Sequence, residues 1–262
     1  MSKTLNTWTF GGVRLDSFGF VTDLTSYLDI PPKRSENVLI PLNDGRVHAK
    51  KFFDQRSMTF GLLVQADNIH ELEEKVDSLK LLVGSRDQQA LAYQAHDGIR
   101  SALAEVVNQI SATRDSDPLS VDYILDFLLA DPFFRSTTIY SLEITVDAVT
   151  HAMDIANAGT VDERTAVITF TGPLEHPKIE LMASGIYVQY NAHIAAGQTV
   201  IIDCKDYTAV HSVSGNVINN MVHSGDPCFL PILAGTNHCH VTHANAGNTT
   251  GKCKVEFYPP YL

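Results

Sequence analysis

Leu119-Ser120-Val121-Asp122-Tyr123-Ile124-Leu125-Asp126-Phe127-Leu128-Leu129, followed by Ala130-Asp131-Pro132-Phe133-Phe134-Arg135, divides the chain in two. Val121, Tyr123, Leu125 and Phe127 recur at every second position, with Asp122 and Asp126 between them. Side chains alternate across a strand, so this spacing sets apolar groups on one face and two carboxylates on the other. The ladder should stop or bend at Pro132, because proline fixes φ and has no N–H to donate. Phe133 and Phe134 read as aromatics anchoring a junction. The expected division is therefore an N-terminal domain of residues 1–135 and a second domain of residues 136–262.

Upstream of that break, Trp8-Thr9-Phe10, Gly11-Gly12 and Val13-Arg14-Leu15 read as a hairpin, since paired glycines supply the positive φ of a tight turn. Phe18–Leu24 and Ser57–Gln65 are further strands, the latter alternating through Met58, Phe60, Leu62 and Val64. Between them Pro31–Gln55 holds three prolines, the turn signal Asn43-Asp44-Gly45 and no sustained period. A loop of that length in a compact domain is usually functional or bound to a partner. It is predicted to be an extended intersubunit arm, with Val38, Leu39, Ile40, Arg46, Phe52 and Phe53 as contact residues. Asp67–Val83 is the one helix expected. Asp67 is read as its N-cap, Ile69, Leu72, Val76, Leu79 and Val83 as its buried stripe, and Gly84 as its stop. Strand character returns over Leu91–Ala95 and Ile99–Ile110.

Downstream of Arg135 the pattern is short strands and turns with no helix. Strands are expected over Ser141–Asp147, Ala166–Phe170, Lys178–Met182, Ile186–Tyr190, Thr199–Asp203, Thr208–Val213, His238–His243 and Lys252–Tyr258. That series argues for a β-sandwich. The fold class is mostly β with one α-helix.

Nineteen Lys and Arg face 30 Asp and Glu, a net charge of −11, and the longest basic run is Lys50-Lys51. Gripping nucleic acid needs a basic face, so a DNA- or RNA-binding role is disfavoured, although DNA can pass an acidic wall without sticking. No apolar run is long enough to cross a bilayer and the first residues lack a secretory signal, so membrane insertion is not expected and folding in the cytoplasm is. The sequence carries no P-loop, no G-x-S-x-G elbow and no dinucleotide fingerprint, which points away from an enzyme and from any cofactor. Cys204, Cys228, Cys239 and Cys253 form no CxxC pair and read as buried free thiols. His238-Cys239-His240, with His243, could set two imidazoles on one strand face toward zinc, yet matches no zinc spacing. The plainer reading is an exposed or partner-facing histidine strand.

The order of several motifs resembles one family. Phe10-Gly11-Gly12-Val13-Arg14-Leu15 leads to an arm turning at Asn43-Asp44-Gly45-Arg46, then to Arg56-Ser57-Met58-Thr59-Phe60, one helix, and Asp131-Pro132-Phe133-Phe134-Arg135. Asn157-Ala158-Gly159-Thr160, Thr169-Phe170-Thr171-Gly172-Pro173-Leu174, His176-Pro177-Lys178-Ile179 and Gly197-Gln198-Thr199-Val200-Ile201-Ile202-Asp203 follow. Phe229-Leu230-Pro231-Ile232-Leu233-Ala234-Gly235-Thr236-Asn237 and Val255-Glu256-Phe257 close the series. The series is similar to the distal tail proteins of siphovirus-type bacteriophages. The arm turn has Asn43 where that family usually has glycine, and the later loop has Ala234-Gly235 where it has Pro-Gly.

The resemblance implies a split-barrel-like N-terminal domain that forms a hexameric ring. It implies an arm wrapped on the neighbouring subunit and a galectin-like C-terminal β-sandwich. The implied partners are the tail tube protein above, the tail-tip hub protein below and the tape measure protein in the channel, through which DNA passes. The implied location is the virion tail tip. The competing reading is a carbohydrate-binding module stacking sugar on Tyr187, Tyr190 or Tyr207, and a hydrolase is a more distant one.

Overall fold

A computed structural model describes residues 7–23, 28–34, 38–39, 46–47, 52–107, 111–114, 117–224, 229–244 and 250–262. The chain forms two compact units, Met1–Thr137 with Leu262, and Thr138–Tyr261. Strands of the first are Trp8–Phe10 (β1), Val13–Arg14 (β2), Gly19–Asp23 (β3), Lys33–Arg34 (β4), Val38–Leu39 (β5), Arg46–Val47 (β6), Phe52–Phe53 (β7), Arg56–Gln65 (β8), Gln89–Ala95 (β9), Gly98–Val106 (β10), Ser111–Arg114 (β11), Ser120–Leu129 (β12) and Phe134–Ser136 (β13). Helix α1 spans Ile69–Val83.

The main sheet runs β2-β1-β9-β10-β12-β8-β3, with β11 beside β12 and β13 beside β10. Strand β10 belongs to three ladders, the shortest being Arg100 and Ser101 with β13. Its residues Gly98–Ala104 pair with β9, and Glu105 and Val106 pair with Leu128 and Phe127 of β12. Passing from one partner to the other curls the sheet around its apolar face. The alternation expected of β8 and β12 is present: Met58, Phe60, Leu62 and Val64 are buried with Tyr123, Leu125, Phe127 and Leu129. Aromatic edges lock this core, with Trp8 4.9 Å from Phe60 and Phe10 5.0 Å from Phe127. The β1–β2 turn uses Gly11 at φ 56° and Gly12 at φ 82°, the doubly left-handed conformation that a two-residue hairpin favours.

Leu72, Leu79 and Val83 of α1 are buried in this core, each contributing about 1.5–3 kcal/mol. The cap is Asn68, one residue after the expected Asp67. Its side chain accepts from the Glu71 N–H at 3.0 Å, and Glu71 accepts from the Asp67 N–H at 3.0 Å. Asn68 has extended backbone, φ −154° and ψ 166°, as an N-cap requires. Gly84 closes the helix, its N–H donating to the Lys80 carbonyl at 2.8 Å.

The second unit contains Tyr140–Val146 (β14), Thr150–Asn157 (β15), Val167–Thr171 (β16), Leu174–Glu175 (β17), Lys178–Leu181 (β18), Ile186–Tyr190 (β19), His193–Ile194 (β20), Thr199–Asp203 (β21), Thr208–His211 (β22), Gly215–Asn216 (β23), Met221–His223 (β24), Gly235–Thr242 (β25), Gly251–Phe257 (β26) and Pro260–Tyr261 (β27). One sheet runs β14-β26-β16-β21-β22-β23 and the other β15-β25-β18-β19-β24. Their inner faces meet in one core, Ile168, Ile202 and Val255 from the first with Ile155, Ile179 and Val241 from the second. This is a β-sandwich. Strand β15, absent from the sequence expectation, pairs with β25 over its full length.

Two asparagines fix its irregular loops. Buried Asn157 donates to the carbonyls of Val161 and Ile232 at 2.9 and 3.2 Å and accepts from the Gly159 N–H at 2.9 Å. Buried Asn237 accepts from the Leu233 N–H at 2.9 Å and donates to the Leu233 carbonyl at 2.8 Å.

Candidate assembly interface

The arm begins as a hairpin. Lys33 and Arg34 of β4 pair antiparallel with Phe53 and Phe52 of β7, and the Asp54 N–H donates to the Pro32 carbonyl at 2.8 Å. Further out, Val38 and Leu39 pair with Val47 and Arg46. No period is visible in this stretch of sequence because each described ladder is two residues long, too short to show alternation. Its base is pinned to its own unit. Phe53 meets Phe133 edge-on at 5.4 Å, and the Lys33 ammonium lies 5.2 Å from the Phe53 ring centre. Arg56, buried at 3%, donates to the Asp29 carbonyl at 2.9 Å. Phe133 thus anchors the arm, while Phe134 packs 6.0 Å from Trp8 in the core. Phe52 is 49% exposed. Ile40 lies outside the described residues, and Val38, Leu39 and Arg46 are described by their backbone alone.

Strands β3, β8, β12 and β11 form a four-stranded ladder that turns one face to the core. Across it Phe20 pairs with Leu63 and Leu63 with Asp122, while Thr22 pairs with Gly61 and Gly61 with Ile124. The outward face thus mixes exposed Phe20 and Ile124 with Asp122 and Asp126, the latter accepting from the Thr59 hydroxyl at 2.5 Å. Among the described residues, the outer edges of β3 and β11 have no strand partner.

Beside β12 lies a groove of about 520 Å³, lined by Ile69, Leu72, Val76, Val121 and Tyr123, with Glu73, Asp77 and Lys80 at its margin. Ile69 is 49% exposed there, and burial pushes the Tyr123 hydroxyl above its ordinary range. The Asp77 carboxylate holds Lys80 at 3.0 Å. The sequence reading assigned Ile69, Leu72 and Val76 to a buried stripe and gave no sign of this groove.

The histidine strand is β25. His238 is exposed and bonded to Asp154 at 2.7 Å, Cys239 points inward, and His243 is buried beyond the strand end. Among the described residues no three metal-binding side chains gather at one point. Cys204, Cys239 and Cys253 are buried free thiols, and Cys228 lies outside the described residues. Of the tyrosines read as sugar platforms, Tyr190 is buried at 3% and so offers no face, contrary to that reading. Tyr187 lies 5.3 Å under the Lys178 ammonium, and Tyr207 is half exposed against Phe229 at 5.7 Å.

Comparison with known proteins agrees with these features. Residues 158–261 match the family model of the siphovirus-type tail component, C-terminal domain. Most of the second unit is thus similar to a siphovirus-type tail component domain. This bears out the resemblance read from the sequence. The solved structure of the SPP1 Dit protein (gp 19.1) superposes with a TM-score of 0.72 over 99% of this chain and 100% of that one, at 11% identity. The two therefore share a fold along their whole length. Two structures of the phage P2 baseplate in its activated conformation, with calcium and with strontium, cover 97% of this chain and 98% of theirs at 10% identity. Their TM-scores of 0.44 and 0.42 are too low to argue from. No curated protein sequence matches the chain.

Proposed function

We propose that this chain is a structural ring protein at the distal end of a long, non-contractile phage tail. In this reading six copies join the tail tube to the tail-tip hub around a conduit for the tape measure protein and DNA. The observation that carries it is the pair of open edges on the β3-β8-β12-β11 ladder. Strands alternate in direction across that ladder, so β11 and β3 run oppositely. The β3 edge of a second copy placed beside β11 continues the antiparallel alternation. Repeating that contact around an axis leaves neither the β3 nor the β11 edge exposed, and head-to-tail contacts that close make a ring.

The outward ladder face would then line the conduit. Its Asp122 and Asp126 repel DNA phosphates instead of holding them. The SPP1 Dit structure is described as a paradigm of the hub adsorption apparatus in phages infecting Gram-positive bacteria, and the shared fold supports the same place for this chain. No step in this role requires bond-breaking chemistry. Electron microscopy and native mass spectrometry of the purified protein test the reading. Rings with a central hole and a sixfold mass are expected. A single-chain mass at micromolar concentration, with no rings in images, overturns it.

A further inference from the structure

We infer that the groove between α1 and β12 takes an arginine side chain presented, with an apolar neighbour, by a basic segment of another protein. The groove is built on one stripe of the helix. Ile69, Leu72 and Val76 stand there with Glu73 and Asp77, at the three- and four-residue spacing that shares a helix face. Apolar floor and acidic rim therefore come from the same turns.

Two polar groups in the groove are unused. The first is Glu73, one of four carboxylates on the helix. Glu71 holds Lys75 at 2.9 Å, Glu74 lies 3.4 Å from His70, and Asp77 holds Lys80 at 3.0 Å. Among the described residues only Glu73 of the four has no ion-pair partner. The second is Tyr123, which lines the groove although only 6% of its surface is exposed. Its hydroxyl has no hydrogen-bond partner among the described residues. Asp77 and Lys80 both act on that hydroxyl electrostatically, which sets it toward the charged margin of the groove.

These groups select the ligand. A free carboxylate and a phenol oxygen over an apolar floor suit a cation on an aliphatic stem. Guanidinium fits better than ammonium, because its planar fork can donate to both oxygens at once while the stem lies on Ile69 and Val76. An anion would be repelled by Glu73 and Asp77. A metal ion would need more ligands, and among the described residues no three metal-binding side chains gather at one point. A second copy is a poor occupant, since 30 acidic against 19 basic residues make its surface repel an acidic rim, whereas a basic segment of a different protein is drawn to it. Neither the ring nor its symmetry is needed for this seat.

The test uses the full chain and a fluorescein-labelled peptide, Leu-Arg-Leu-Arg-Leu, beside a second peptide with citrulline in place of both arginines. Fluorescence anisotropy at about 50 mM salt, where charge attraction is weakly screened, reads the binding. The arginine peptide should bind saturably, one per chain, and the citrulline peptide at least about tenfold more weakly. Glu73→Gln and Tyr123→Phe should each weaken the arginine peptide about tenfold. Ile69→Ser should weaken it too. Glu74→Gln removes the same charge from the helix away from the groove, and should leave binding unchanged. Equal loss in the Glu73→Gln and Glu74→Gln variants would mean unspecific attraction, and overturns the inference. Equal affinity for the two peptides overturns it, as does the absence of saturable binding up to about 1 mM. Binding that appears only when assemblies are diluted to single chains would mean that a second copy covers the groove, and overturns it as well. A single-chain mass for the unaltered protein would sink the ring reading and leave this one standing.

Discussion

Asn237, near the start of β25, ties the irregular segment ending at Leu233 to the β15–β25 ladder. Its amide reaches the carbonyls of Leu233, Gly235 and Ile155 at 2.8, 3.2 and 3.3 Å, and its oxygen takes the Leu233 N–H. Leaving a buried donor or acceptor unmet costs about 1–3 kcal/mol. Asn237→Ala should therefore lower unfolding stability by about 2–4 kcal/mol, shifting the urea midpoint with an unchanged slope. A shift under about 0.5 kcal/mol would show that the loop does not depend on it. The cysteines lend themselves to a different measurement. Burial pushes the Cys204 and Cys239 thiols up to about 12 and Cys253 higher still. Thiolate is the reactive form, so in a Cys228→Ser variant these three should ignore Ellman's reagent at pH 8 when folded. All three should react in denaturant, and a rapid folded-state reaction would contradict their burial. The burial of Cys204, Cys239 and Cys253 was legible, because their spacing served no metal or redox motif. The Asn157 and Asn237 motifs were legible only as an order of residues, since their bonds go to backbone atoms that no side-chain pattern reports.

Helix α1 was legible because its apolar spacing, acidic first turn and terminal Gly84 all agree with one period. Its cap was misplaced by one residue because Asp67 and Asn68 are both good N-caps, and only backbone geometry separates them. Asn68→Ala should cost about 1 kcal/mol and Asp67→Ala distinctly less, which parallel chemical denaturation would resolve. Strand β15 escaped notice for a related reason. Its buried Met153 and Ile155 alternate with Ala152, Asp154 and Ala156, and alanine marks neither face clearly. Removal of the arm is predicted to separate folding from assembly. Deleting residues 36–50 leaves the Lys33–Phe53 and Arg34–Phe52 pairs and every strand of the second unit in place. The expected product is a folded single chain with a cooperative melt and no ring, read by sedimentation velocity. The same assembled mass as the intact protein would show that the arm is dispensable.

At the scale of the molecule, the fold was legible where alternation was strict and illegible where it depended on partners. The two apolar sets flanking Asp131-Pro132 each fill one core, and every residue of the sandwich cluster lies between Val146 and Phe257. The curl of the first sheet was not legible, because it comes from β10 changing partners at Glu105, and pairing partners are not written in a single strand. The chemistry of the outward ladder face was partly legible, as Asp122 and Asp126 stood opposite the apolar positions of β12. Their role can be tested by reversing them. Asp122→Lys with Asp126→Lys changes each copy by +4, so the proposed sixfold ring would gain +24 on the face proposed to line its conduit. Neither side chain is in the core, and the Thr59 hydroxyl bond to Asp126 is lost from the surface, so the fold and ring mass should persist. DNA that slides past carboxylates should now release counterions to lysine and be held. Single-stranded and short duplex DNA should shift in a gel with the variant at about 50 mM salt, and the shift should vanish near about 0.5 M. The unaltered protein should give no shift at either salt. A variant ring that ignores DNA at low salt would mean that this face does not border the passage, and β3 and β11 would then have to meet in some other arrangement.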